Sequence, residues 1–187
     1  KKNYKKSGTA IIPMAGEGRR FFLEGYKTPK PMIHVSGLPM FAQACNDLPS
    51  SDTKLFITRS DIKDSDRIEA CIKEEFSESH ILTLKELTDG QARTVYQGLE
   101  FLMENNLKNE PITIGTCDSG VIYDHEKFEE VLLKESPDLV VWGMRGYKAA
   151  IENPNMYGWI DVNSNNDIQE VSVKKPLNDS KKDHVIL

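Results

Sequence analysis

Short apolar runs alternate with stretches of helical period along this chain, and the alternation predicts its elements. Residues 9–14 form an apolar run ending in glycine-rich turn residues, the pattern of a buried strand that opens into a loop at its C-terminal end. Such strand ends are where open α/β sheets hold ligands. Residues 32–35 read as a short strand or packed loop, residues 40–45 as a short helix, and residues 54–58 as a strand. Between residues 64 and 76, Ile68, Cys71, Ile72 and Phe76 recur on one helical face, with Asp64 or Ser65 as cap. A strand follows at 81–84. Thr88-Asp89-Gly90-Gln91 then has the spacing of a capping box ahead of Val95, Leu99 and Leu102, so a helix begins near Gly90.

The second half predicts a strand at 111–115 running into Thr116-Cys117-Asp118-Ser119-Gly120, a helix at 126–135 and a strand at 139–144. After Met144 the pattern changes. Residues 159–162 and 168–173 alternate around a polar turn and read as a hairpin appended to the sheet. The ending Val185-Ile186-Leu187 reads as the opening of another strand, and the chain begins without Met, which suggests a piece of a longer protein. Strands alternating with helices predict an α/β fold, taken as one domain over 1–187 that continues past its C-terminus.

Composition narrows the function classes. The 187 residues hold 24 Lys and Arg against 29 Asp and Glu, a net charge of −5 that argues against a dedicated nucleic-acid binder. Any phosphate it binds is expected to be small and held locally. Cys45, Cys71 and Cys117 show no C-x-x-C spacing, so neither a disulfide framework nor a thiolate zinc site is encoded, and a reducing, cytoplasmic setting is expected. No apolar run approaches the roughly 18 residues that span a bilayer, so no membrane partner is expected.

Candidate chemistry concentrates early. Ala15-Gly16-Glu17-Gly18-Arg19-Arg20-Phe21 follows the first strand, and glycines there let backbone N–H groups approach a phosphate with no Cβ in the way. Arg20 offers a bidentate clamp, and Lys30, between Pro29 and Pro31, a point charge on a stiffened loop. The dinucleotide fingerprint G-x-G-x-x-G fails at Phe21, and no Walker A loop is present. His34, His80, His125 and His184 lack metal-ligand spacing, and Cys117 reads as a small buried residue.

Together, the segment 12–21 and Pro29-Lys30-Pro31-Met32 closely resemble the N-terminal signature of the sugar-phosphate nucleotidyltransferases, G-x-G-[TS]-R followed by P-K-P-[LM]. Arg20 falls on the family arginine and Lys30 on the family lysine, while Arg19 replaces the usual Thr or Ser. Asp89-Gly90-Gln91-Ala92 resembles the segment that grips the base, and Asp118 sits where the family has a metal-binding aspartate. Tyr157-Gly158 and Lys174-Lys175-Pro176 match the family's Y-G and E-K-P elements, with Lys174 in place of the Glu that binds sugar hydroxyls.

The resemblance implies a Rossmann-like three-layer α/β/α sandwich of glycosyltransferase type A, with a mixed, mostly parallel sheet. It implies Mg²⁺-dependent nucleotidyl transfer from a nucleoside triphosphate to a sugar phosphate or other small phosphorylated acceptor, in nucleotide-sugar and surface-polysaccharide precursor synthesis. Arg20 and Lys30 would be catalytic, and Met14, Ala15, Gly16, Gly18, Gly90 and Gln91 would join them in holding the nucleotide. Tyr157, Gly158 and Lys175 would hold the acceptor and Asp118 the metal; a homo-oligomer is allowed. Other jobs for these residues stay open: a turn for Asp118, a helix cap for Gly90 and Gln91, a turn for Tyr157 and Gly158, and a solvated surface for Lys175. A non-catalytic module that binds a nucleotide or sugar phosphate is the alternative, favoured by Lys174.

Overall fold

The computed structural model describes residues 8–108, 110–178 and 183–186, and the chain divides into two compact units, one running to Ile122 and the other from Tyr123.

The first unit is built on a parallel sheet. Its first strand, β1 (Thr9–Pro13), is buried at every position. A short helix α1 (Arg19–Leu23) and a single 3₁₀ turn at Lys30–Met32 follow, then the small pair β2 (His34–Val35) and β3 (Leu38–Pro39) and helix α2 (Met40–Asn46). Next come β4 (Thr53–Arg59), α3 (Ser65–Glu75), β5 (His80–Leu84), α4 (Gln91–Glu104) and β6 (Ile112–Ile114). The sheet order is β5-β4-β1-β6, every pair parallel, with Pro13 opposite Ile57 and Arg59 opposite Leu84.

Alternation along β1 and β4 divides the core into two layers. Ala10, Ile12 and Phe56 pack with Phe41 and Cys45 of α2 and Ile68 and Ile72 of α3. Ile11, Leu55 and Ile57 pack on the other face with Val95 and Leu102 of α4. The contact with α4 is close because position 98 is glycine: a Cβ there would stand 2.6 Å from Ile57 Cδ1. This is the expected three-layer arrangement. Strand ends and helix N-termini therefore meet at one end of the sheet.

The second unit contains α5 (His125–Lys134), β7 (Gly143–Met144), α6 (Lys148–Glu152), a 3₁₀ turn at Pro154–Met156, β8 (Gly158–Val162), β9 (Ile168–Val173) and β10 (His184–Ile186). Its strands form an antiparallel sheet in the order β7-β10-β8-β9. Trp159 is buried there with Ala150 and Val185, its indole N–H donating to the Pro154 carbonyl at 3.0 Å.

Three sequence expectations change. The hairpin of β8 and β9 belongs to this antiparallel sheet and does not extend the parallel one. Of the strand expected at 139–144, only Gly143 and Met144 enter a ladder, because residues 139–142 find no partner strand among the described residues. The capping box at Thr88 does not form. Gly90, with φ 138°, is itself the cap, and Thr88 Oγ1 instead donates to the Gly90 carbonyl and meets Thr94 Oγ1 at 2.6 Å. Helix α3 does begin after Asp64, although Asp64 sits at φ 62° and makes no side-chain cap bond. Of the apolar ending, Val185 and Ile186 lie in β10, and Leu187 lies outside the described residues.

Candidate active site

The C-terminal ends of β1 and β6 and the N-terminus of α4 enclose a cleft of about 330 Å³ within the first unit. Its lining joins three stretches that are remote in sequence: Ala15 and Gly16 after β1, Gly90 and Gln91 at the start of α4, and Asp118 after β6. Lys30 completes it. The stiff 3₁₀ turn that carries Lys30 leaves Pro31 and Met32 buried, anchoring the lysine from below.

One contact dominates the electrostatics. Lys30 Nζ donates to Asp118 Oδ2 at 2.5 Å, and the side chains are only 18% and 31% exposed, so solvent screens this pair less than an ordinary surface bridge. The ammonium also lies 5.7 Å from the centre of the Phe21 ring. Gly18, at φ 61°, packs against Lys30: a Cβ there would lie 3.1 Å from Lys30 Cβ. At Gly16 no atom stands within 4 Å of where a Cβ would be, which leaves its backbone open to a ligand. The first-turn N–H groups of α4 have no intrahelical acceptors and favour negative charge at that end of the cleft.

Other signature residues lie elsewhere. Met14 is buried in the core beside α2 and α3, so only its backbone is available to a ligand. Arg20 is exposed on α1, outside the cleft lining, and makes no ion pair among the described residues. In the second unit, Tyr157 packs edge-on to Tyr147 at 5.8 Å, Gly158 begins β8, and Lys175 is exposed. Cys117 lines the cleft, but burial pushes its thiol up to about 11, which agrees with a packing residue and not a nucleophile.

Sequence reasoning missed Leu87, Thr94 and Thr116 in the lining. Thr94 follows Gly90 by one helical turn, and that spacing was its available signal. A second recess, of about 370 Å³ and lined by Tyr26, Met32, His34 and Arg67 among others, takes only Met32 from the signature segments.

Asp118 is a hard oxygen donor of the kind Mg²⁺ prefers. Among the described residues no cluster of three or more His, Cys, Asp or Glu could hold a metal. The donor set therefore fits a Mg²⁺ that takes one carboxylate from the protein and its remaining ligands from phosphate and water.

The fold is similar to that of solved nucleotidyltransferases. A nucleoside-diphosphate-sugar pyrophosphorylase from Vibrio cholerae RC9 superposes with a TM-score of 0.67 at 23% identity, covering 95% of this chain and 72% of that one. A UDP-glucose pyrophosphorylase complexed with UDP-glucose gives 0.66 at 17% identity, covering 96% and 74%. An inositol-1-phosphate CTP transferase from T. maritima gives 0.61 at 14%, covering 96% and 68%. In sequence, no family model and no curated protein matches the chain. At these identities the likeness establishes the fold, and the fold is the one the signature implies.

Proposed function

We propose that this chain carries out Mg²⁺-dependent nucleotidyl transfer from a nucleoside triphosphate to a small phosphorylated acceptor. The observation that carries the reading is the Lys30–Asp118 pair, a cation and a metal-seeking carboxylate set beside the open Gly16 backbone. An acceptor phosphate oxygen would attack the α-phosphorus as the bond from that phosphorus to the bridging oxygen breaks, with both electrons leaving on pyrophosphate. The acceptor is already an anion, so no protein nucleophile is required. Catalysis is then positioning and charge neutralisation.

Lys30 would exchange Asp118 for phosphate oxygens, and Asp118, once released, would hold the metal. Bound Mg²⁺ would supply neutralisation of crowded phosphate charge. Arg20, exposed and in no ion pair among the described residues, would close on the triphosphate from α1, while Tyr157, Gly158 and Lys175 would serve the acceptor. Replacement of the family Glu by Lys174 supports an acceptor other than an ordinary hexose phosphate. The signature resemblance supports a place in nucleotide-sugar supply for surface polysaccharide, and the free thiols of Cys45, Cys71 and Cys117 support a cytoplasmic setting.

Pyrophosphate release across a panel of nucleoside triphosphates and acceptor phosphates tests the reading. Asp118→Asn is expected to lower turnover by about a hundredfold, the scale of losing one electrostatic group aimed at the reacting phosphate. Unchanged turnover would remove the metal assignment. Nucleotide binding without release by the folded protein across the panel would favour the binding-module reading, to which Lys174 also points.

A further inference from the structure

β9 is the outer strand of the second unit's sheet, with no ladder partner besides β8 among the described residues. All of it but Ser172 is exposed, Val171 at 57% and Val173 at 74%. An open strand edge is a template for another strand. Its backbone phase tells which groups are free. Lys174 N–H donates to the Tyr157 carbonyl at 2.8 Å, so position 174 points its amide toward β8. Successive residues alternate along the ladder. Ser172 and Glu170 therefore also turn their amides and carbonyls to β8, while Val171 and Val173 turn theirs to the open edge.

Charge along this edge has a symmetry of its own. Glu170 and Lys174 flank Val171-Ser172-Val173 at equal distances from Ser172, and both are exposed. Neither makes an ion pair among the described residues. Glu170 also stands opposite Asp161 of β8, and like charges directly opposed are unfavourable. Protected edges carry charges, lysine above all, that repel an incoming strand. Here the strand's centre is uncharged and its two flanks are opposite in sign, so a second, antiparallel copy is attracted at both ends.

We propose that β9 pairs antiparallel with β9 of a second copy of this chain, about a twofold axis through Ser172. Such an interface uses the same patch on both copies. Val171 then lies opposite the partner's Val173, and each of these pairs exchanges both backbone hydrogen bonds through the groups that point away from β8. Glu170 lies opposite the partner's Lys174, which answers the carboxylates of Glu170 and Asp161 together. A slip of one residue would set outward-pointing groups against inward-pointing ones. An axis through Val171 or Val173 keeps the phase, but sets Glu170 against Ser172 or Pro176 in place of the lysine. Only the register about Ser172 satisfies backbone and charge at once. The pairing is independent of the catalytic reading above.

The test is sedimentation velocity of the full chain over a concentration series, where a monomer–dimer equilibrium is expected. Glu170→Lys or Lys174→Glu alone sets like charges at both flanks and is expected to weaken the dimer about tenfold; the double reversal is expected to restore it. Ser172→Cys is expected to cross-link two copies under mild oxidation. Residues opposed at a non-hydrogen-bonded position have Cα atoms about 4.5 Å apart, within the reach of a disulfide. Peptide mapping distinguishes a bond at position 172 from any made by Cys45, Cys71 or Cys117. The wild-type chain supplies a readout that no substitution can disturb: hydrogen exchange at the Val171 and Val173 amides is expected to slow as concentration rises, and that at Ser172 to change little. A monomer at every concentration, single reversals without effect, a double reversal that does not restore the dimer, no cross-link at position 172, or no concentration-dependent protection at Val171 and Val173 overturns the proposal.

Discussion

Lys30 and Asp118 each satisfy the other in the cleft, and the consequence is an order of events. A dication approaching Asp118 meets an ammonium already 2.5 Å from one carboxylate oxygen. Free metal is thus opposed by like charge until phosphate draws the lysine away. Lys30→Ala is expected to bind Mn²⁺ without nucleotide several-fold more tightly than the wild-type chain, read by electron paramagnetic resonance. Equal metal affinity in the two would show that the pair does not guard the carboxylate. The individual residues were legible in the sequence because each sits in a short motif. Their pairing was not, because 88 positions separate them and only the parallel alignment of β1 and β6 brings the two loops together.

At the scale of elements, α4 links packing to the site. Its N-terminus borders the cleft, while its middle rests on Ile11, Leu55 and Ile57. Gly98→Ala would insert a methyl 2.6 Å from Ile57 Cδ1 and 3.5 Å from Ile11 Cγ2, and buried strand residues on a shared ladder have little room to retreat. The expected cost is about 1–3 kcal/mol, read as a lower denaturation midpoint, with weaker nucleotide binding as Gly90 and Gln91 shift. An unchanged midpoint would mean that the helix moves off the sheet freely.

Buried runs made β1 and β4 readable, since a strand covered on both faces is largely apolar, whereas β5 and β6 are only partly buried and read from shorter apolar runs. The same criterion misread residues 139–142: apolarity shows that a segment seeks burial, but a ladder also needs a partner, which composition does not encode. Helix ends behaved likewise. Thr88 and Gln91 have capping-box spacing, but Gly90 takes the turn, whereas Asp124, which sequence reasoning passed over, caps α5 by accepting from Glu126 and Lys127 N–H groups at 3.1 Å.

For the whole molecule, burial of Cys45 on the core face of α2 couples stability to alkaline pH. Its thiol is pushed up from the ordinary 9.0 to about 11 by burial, against a smaller opposing pull from Lys54. The folded state therefore holds the proton where the unfolded chain has released it. The contribution is complete below pH 9 and is lost as pH rises through 11, by about 3 kcal/mol at most. Thermal midpoints are expected to fall across that window, and to fall less in Cys45→Ala; parallel curves would exclude the thiol as the cause. Among the described residues no helix is long and apolar enough to cross a membrane.

The central position of β1 sets a timing problem for synthesis. It emerges before its neighbours, whose residues Thr53 and Ile112 lie more than 40 and more than 100 residues downstream of Thr9. At about 5–20 residues per second, β1 waits roughly 5–20 s on the ribosome for β6. Contacts so distant in sequence also slow the folding search. During that interval Thr9–Pro13, buried at all five positions in the finished sheet, is an unpaired strand open to mispairing, and β4, arriving earlier, is the partner able to shield its first edge.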